Sequence, residues 1–423
     1  MLKRHIISAC MMLAASSLFV DTQCRADEVN DALAGKIGQG TTSEGIKAIE
    51  SFLITNPGDD RALFSLGLMQ LLQGWESVSQ GLYRYGAGGP LRQSAGLVLP
   101  IAGLIPANPD PEPVAVDDVR AMFLEGIESL KAADQTLAKI DDDFYCSTDI
   151  LAIRMDFNGD GIASDKETVL GVLSTTRVRL RNPDTNTPMT KLLVDFDRGD
   201  AEWLRGYCNL SMALDEYILA HDFSELFNKA GHVFFPEPVS EYTYLRSGKS
   251  PFEQEKMYTG GIDPLDIVSF IHLLRFPVAQ PERLEKVQNH LLAAIGHSRA
   301  MWSLYNNETD NTNEWIPNTM QTAALPGAMI TEDAYKSWIQ FLDASQNILE
   351  GNTLLPFWRG DGSLGVDINA YFEKPTEFDL ILFFQGSAAH PYLKEGEMLD
   401  PKVWEDMERA FNRHSFRHMF WIN

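Results

Sequence analysis

Positive charge is scarce in this chain: 35 Lys and Arg stand against 59 Asp and Glu in 423 residues, a net charge of −24. Such acidity repels phosphate backbones and anionic lipid surfaces, so no nucleic acid partner is expected, and cations or neutral ligands are favoured. Cysteine is scarcer still, four residues in all. No Cys-x-x-Cys occurs, and no Gly-x-Ser-x-Gly, which removes the dithiol motif and the hydrolase elbow. The run Gly86-Ala87-Gly88-Gly89-Pro90 is followed by no Gly-Lys-Ser/Thr, so it is not a phosphate-binding loop. Beyond the N-terminal segment no stretch is apolar over the roughly 20 residues a membrane span needs. A hydrophobic fraction of 44% excludes wholesale disorder.

At the N-terminus Lys3, Arg4 and His5 precede an apolar run from Ile6 to Val20, and Cys24 and Ala26 offer small residues before a cleavage site. The run is too short to span a bilayer, and the pattern is that of a secretory signal peptide over residues 1–26. Ile7-Ser8-Ala9-Cys10 comes too early in the run to serve as a lipidation site. The protein is therefore expected to be exported, periplasmic or secreted. Residues 1–26 hold Lys3, Arg4 and Arg25 against Asp21, a net of +2, so the remainder carries −26.

Helical periodicity dominates residues 27–423, and no linker of disorder-like composition divides them. The expectation is one mostly helical domain: mainly α, an irregular array of antiparallel helix pairs with long loops. Ile46, Ile49, Phe52 and Leu53 recur at helical spacing until Asn56-Pro57-Gly58-Asp59 breaks the pattern, and Leu63, Leu66, Gly67 and Leu71 resume it. Residues 43–72 resemble a junction of tetratricopeptide repeats, but no matching register follows one period later, which leaves an αα-hairpin. Residues 86–113 read as a long irregular segment. Helices are expected over 117–140, 168–180, 265–276, 281–304, 334–349 and 401–418. Asp200 is expected to cap a further one carrying Trp203, Tyr207, Leu210, Leu214 and Ile218. Ile381-Leu382-Phe383-Phe384 reads as a short buried strand.

One stretch of twelve residues combines residue type and spacing into a specific chemistry. In Asp156-Phe157-Asn158-Gly159-Asp160-Gly161-Ile162-Ala163-Ser164-Asp165-Lys166-Glu167, oxygen side chains stand at positions 1, 3, 5, 9 and 12, with Gly at 6. Calcium takes six to eight oxygen ligands, and a loop of this length supplies them from those positions and the carbonyl at position 7. The stretch resembles the EF-hand calcium loop, within a segment spanning 147–175. The ligands implied for Ca²⁺ are Asp156, Asn158, Asp160, the Ile162 carbonyl, Ser164 and Glu167. Ala163 departs from the pattern, which places Ile, Val or Leu at position 8. A lone loop with three carboxylates is expected to bind on the order of 10⁻⁴ to 10⁻³ M. Ser164 and Glu167 also fit a capping box, which accounts for two positions without an ion.

Other constellations are weaker. Cys146 and Cys208 survive removal of residues 1–26, and in an oxidising compartment they are a candidate disulfide; the alternative is two buried thiols. His414 and His418 have zinc spacing but lack the Glu that would follow the first His in a metalloprotease. His272, His290 and His297 read as satisfied histidines. The acid-and-amide run from Asn306 to Asn313 is a solvated loop that offers ligands for a second cation. Trp302, Trp315, Trp338, Trp358, Tyr371, Phe372, Trp404 and Trp421 crowd the last third. With Asp361, Asp367, Glu373 and Glu377 they admit a glycan-processing enzyme of helical-toroid type with a structural calcium. The reading favoured is an exported calcium-binding helical protein with a binding or scaffolding role toward a protein or glycan partner.

Overall fold

The computed structural model describes residues 42–87, 105–162, 164–175, 180–183, 185–247 and 264–410. Residues 1–26, expected to be a signal peptide, most of the irregular segment 86–113 up to residue 104, and His414, His418 and Trp421 lie outside the described residues.

The fold is mainly α. Helix α1 (Thr42–Thr55) and helix α2 (Asp60–Arg84) are joined by a four-residue turn, and the Asp59 carboxylate caps α2 by accepting from the Ala62 N–H at 2.9 Å. Ile46, Ile49, Leu63 and Leu66 are buried between them, and Phe52 is half-buried against the same cluster. The hairpin over 43–72 is thus present, although α2 runs on to Arg84. On its other side α2 meets α3 (Val116–Leu137) along Gly67, Gly74 and Gly81, seven residues apart and so on one helix face. Leu137, Leu130 and Met122 of α3 occupy the space where those three glycines lack a side chain. A helix-interior glycine costs about 1 kcal/mol relative to alanine; here it allows close approach of the two helices.

After α3 the chain forms β1 (Cys146–Asp149), a 3₁₀ turn (Ile150–Ala152), the loop 156–167, a second 3₁₀ turn (Asp165–Glu167) and α4 (Val169–Thr175). Strand β2 (Leu193–Phe196) returns antiparallel to β1, pairing Cys146 with Phe196 and Asp149 with Leu193. Helix α5 (Arg198–Ala220) follows at once, and it is central: it packs on α3 and, most extensively, on α8. Between them in sequence lie α6 (Ser224–Ala230), α7 (Pro264–His272) and β3 (Arg275–Phe276), then α8 itself (Glu282–Tyr305). Helix α9 (Glu332–Leu349) packs on α8. The chain continues through β4 (Leu355–Pro356), β5 (Gly365–Val366), α10 (Ile368–Glu373), β6 (Phe378–Asp379), α11 (Leu380–Gln385), β7 (Leu393–Lys394) and α12 (Pro401–Ala410), the last packed on α9. Helices α1, α2, α3, α5, α8, α9 and α12 therefore form a series in which each touches the next. One cluster of buried side chains runs through the series from Ile46 to Met407, with Trp203, Trp302 and Trp338 among its largest members. Burying a large apolar side chain stabilises by about 1.5–3 kcal/mol, so this cluster holds the series together.

Three expectations are corrected. Cys146 and Cys208 are free thiols, both buried: Cys146 lies 3.9 Å from the Thr148 hydroxyl, and Cys208 sits in α5 within the core. Each packs as a small hydrophobe, and burial pushes the Cys146 thiol up to about 11. Residues 381–384 are helical and exposed, not a buried strand, because Asp379 caps α11 through the Leu382 N–H and Gly386 ends it at φ 104°. The cap of α5 is Asp197; Asp200 is its reciprocal partner, accepting from the Asp197 N–H at 3.0 Å.

Candidate metal centre

The loop 156–167 leaves the body of the protein between two antiparallel supports. Arg154 bridges Thr168, and the Met155 N–H donates to the Glu167 carbonyl at 3.1 Å, so the first and last loop positions lie side by side. Asp156 and Glu167 are both buried, whereas Asp160 and Ile162 are exposed. Gly159 and Gly161, at φ 71° and 79°, make the reversals that residues with a side chain enter only at a cost.

Loop amides orient the oxygens. The Asp156 carboxylate accepts from Gly159 N–H at 2.7 Å and Gly161 N–H at 2.9 Å; Asn158 Oδ1 accepts from Asp160, and Asp160 Oδ1 from Ile162. Glu167 accepts from the Phe157 N–H at 3.1 Å and from the Ser164 N–H and hydroxyl at 2.8 and 2.7 Å, so the Ser164–Glu167 contacts of a capping box are also made. A carboxylate or amide oxygen that accepts one N–H keeps a further lone pair for an ion. The donor set is oxygen throughout, which suits a hard cation. The carboxylate oxygens of Asp156, Asp160 and Glu167 are not drawn as close as 4.8 Å to one another, so an ion would have to gather them. The flanking segments are 3₁₀ turns and a strand, with only α4 as a short helix on the exit side.

Two residues of α2, Glu76 and Gln80, support this loop from behind. The Gln80 side-chain amide donates to the Asp156 carbonyl at 2.9 Å, and Glu76 Oε1 accepts from the Asp156 N–H at 3.0 Å and from the Thr42 hydroxyl at 2.6 Å. Glu76 is buried, and burial pushes its carboxyl up to about 7. No local spacing points to Glu76 or Gln80, which lie about 80 residues away in sequence.

A second acidic site lies at the start of α5. A pocket of about 420 Å³ is lined by Asp195, Asp197, Glu308, Asp310 and Glu314, with Tyr145 at its edge and Arg198 as the basic residue in its wall. Among the described residues, Asp197, Glu308 and Glu314 are the acidic group whose oxygens lie within 4.8 Å of one another. Asp197 is placed by capping α5 through Gly199 N–H at 2.7 Å; Glu308 accepts from Gln321 at 3.1 Å, and Glu314 from the Thr312 N–H at 2.7 Å. Burial and the negative charge of Asp197 push Glu308 up to about 8, and burial pushes Glu314 up to about 7. Beneath them Tyr305 donates to the fully enclosed Asp200 at 2.6 Å. The Asn306–Asn313 run contributes Glu308 and Asp310, but Asp195, Asp197 and Glu314 come from outside it.

The remaining candidates are engaged locally. His290 meets Asn209 at 2.8 Å and His297 meets Glu202 at 2.7 Å, both between α8 and α5, and they share no site with His272 on α7. Asp361 caps its own turn at Ser363, Asp367 caps α10 and pairs with Lys394 at 2.6 Å, and Glu373 accepts from Asn369. Trp302, Trp315 and Trp338 are buried in the core, while Trp358 and Trp404 are half exposed.

Comparison with family models, curated proteins and solved structures finds no match for this chain. No helix among the described residues is long and apolar enough to cross a membrane.

Proposed function

We propose that the protein is exported and binds one Ca²⁺ in the loop 156–167, as a structural fixture of a helical binding or scaffolding protein. The observation that carries this reading is the arrangement of the loop itself. Asp156 and Glu167 are buried at its mouth, two left-handed glycines turn it, and its amides hold four oxygen side chains in place. The ion would link the two ends of the loop and, through Asp156, the β1–β2 region to Glu76 and Gln80 of α2. Asp156, Asn158, Asp160, Ser164, Glu167 and the Ile162 carbonyl are the ligands. Calcium supplies charge neutralisation and cross-linking here, with no chemical step.

A binding role is supported by apolar surface. Leu265, Val268 and Ile271 of α7 and Ile381, Phe383 and Phe384 of α11 are exposed, and the β3–β6 pairing together with the Leu380 N–H to Leu274 carbonyl bond brings the two helices together. Exposed apolar surface of this kind marks contact sites. The rival, a glycan-processing enzyme, draws support from the acid pocket beside the half-exposed Tyr145. Its carboxylates, however, approach within 4.8 Å and share a hydrogen bond between Asp197 and Glu308, closer than the roughly 5–10 Å that such a reaction uses.

Calorimetry tests the calcium reading. Wild-type protein should bind Ca²⁺ with a Kd on the order of 10⁻⁴ to 10⁻³ M and prefer it to Mg²⁺, which demands octahedral geometry and sheds water reluctantly. Glu167→Gln, which removes the charge at position 12, should lose that binding event. An unchanged isotherm in the variant would refute the assignment of the loop.

A further inference from the structure

We propose that the pocket at the start of α5 is a second cation site, in which Asp197, Glu308 and Glu314 ligate a hard divalent ion. It is distinct from the loop 156–167 and does not depend on it. Three observations converge. The three carboxylates are drawn together from two distant segments, and each is held through one oxygen by a separate donor: the α5 amides, Gln321 and the Thr312 amide. Glu314 therefore keeps its second oxygen for a common ligand, which an ion would share with Asp197 and Glu308 in place of their mutual hydrogen bond.

The second observation is independent of the cluster. Asp195 lines the same pocket and is only 5% exposed. Its Oδ2 accepts from Asn313 at 2.8 Å, but its buried Oδ1 has no hydrogen-bond partner. Buried polar atoms in proteins are paired, and an orphaned carboxylate oxygen on a residue that lines an acidic pocket is a group that a cation satisfies. Thirdly, six acidic residues line the pocket against the single guanidinium of Arg198. Like charges this close repel one another, and a cation among them removes that repulsion. An all-oxygen set of three carboxylates, with room for water in a pocket of about 420 Å³, fits Ca²⁺, Mg²⁺ or Mn²⁺ rather than a soft metal. The ion would clamp β2 and the start of α5 to the segment that follows α8.

The test is the number of ions bound per chain, by native mass spectrometry with calorimetry, using CaCl₂, MgCl₂ and MnCl₂ separately on the full chain. In the Glu167→Gln background one ion of this class should remain, and adding Glu308→Gln should weaken it by at least about tenfold, in line with the dependence of affinity on ligand charge. Whatever the loop does, removing a pocket carboxylate should lower the count by one, so failure of the loop reading is seen separately. Should Glu308→Gln fold poorly, Glu308→Lys places an ammonium in the pocket and should abolish the binding while keeping the fold. If Glu167→Gln binds none of the three ions at millimolar concentration, the proposal is overturned. It is equally overturned if the count is indifferent to both Glu308 substitutions.

Discussion

The loop 156–167 and the pocket at the start of α5 are both acidic, yet they are built in opposite ways. The loop gathers its oxygens from twelve consecutive residues, with two glycines to reverse the chain and its own amides to hold the side chains. The pocket gathers Asp195 and Asp197 from the β2–α5 junction and Glu308 and Glu314 from more than 100 residues later, each held by the fold around it. A local chelate carries its geometry in its spacing, whereas a non-local one exists only once the helices have packed. The loop's oxygens range from buried at Asp156 and Glu167 to exposed at Asp160. The pocket's carboxylates are pressed together already, and burial raises the affinity of Glu308 and Glu314 for protons.

Glu76→Leu should break this contrast most severely. It strips an acceptor from both the Asp156 N–H and the Thr42 hydroxyl inside the protein, and stranding buried donors costs about 1–3 kcal/mol. Denaturant unfolding should show a loss at the upper end of that range, and calcium affinity should fall with it. Glu76→Gln keeps an acceptor oxygen and should be far milder. If Glu76→Leu leaves calcium binding intact, the loop is self-sufficient and its support from α2 is irrelevant.

Tyr305→Phe attacks the other region. Asp200 would lose the hydroxyl donor at 2.6 Å in a fully enclosed site, for a loss of about 1–2 kcal/mol in stability. The calcium response of the loop should be unaffected. A change in that response would mean the two regions are coupled.

How much was legible follows from the same contrast. The hairpin over 43–72 and the helices around Trp203, His290 and Trp338 follow from apolar spacing, which local sequence carries. The six loop oxygens were likewise nameable from spacing. Glu76 and Gln80 were not, because they lie on a different helix and reach the loop only through tertiary packing. Asp379 and Gly386 made a short exposed helix of an apolar run that periodicity alone assigned to a strand; at that length the end signals decide. Two cysteines were free to pair in sequence, yet both thiols are committed to the core.

Asp215 supplies an acid outside either cluster. Burial and the neighbouring Glu216 push its carboxyl up to about 7, above an unfolded value of roughly 4. The native state therefore holds this proton longer than the unfolded chain, and the contribution to stability declines as pH rises from about 4 through 7. Asp215→Asn should stabilise by about 1 kcal/mol at pH 8, an order-of-magnitude figure for relief of a buried charge, and the gain should vanish near pH 4. A gain of equal size at both pH values would show that charge is not the cause.

The smallest effect concerns the thiols. Cys146 and Cys208 should resist a thiol reagent in the folded protein and react as two free thiols once it is unfolded, and reductant should leave the Tm unchanged. A Tm that drops with reductant would indicate a bridge.

The most direct test of the central claim is the thermal melt of wild type and Glu167→Gln, each in millimolar Ca²⁺ and in chelator. An ion bound only by the folded state stabilises it by RT ln(1 + [Ca²⁺]/Kd), about 1.4 kcal/mol at ten times Kd. The wild-type Tm should rise with calcium and fall with chelator, and the rise should be clearly smaller in Glu167→Gln. Equal shifts in the two proteins, or no shift in either, would contradict calcium binding by the loop.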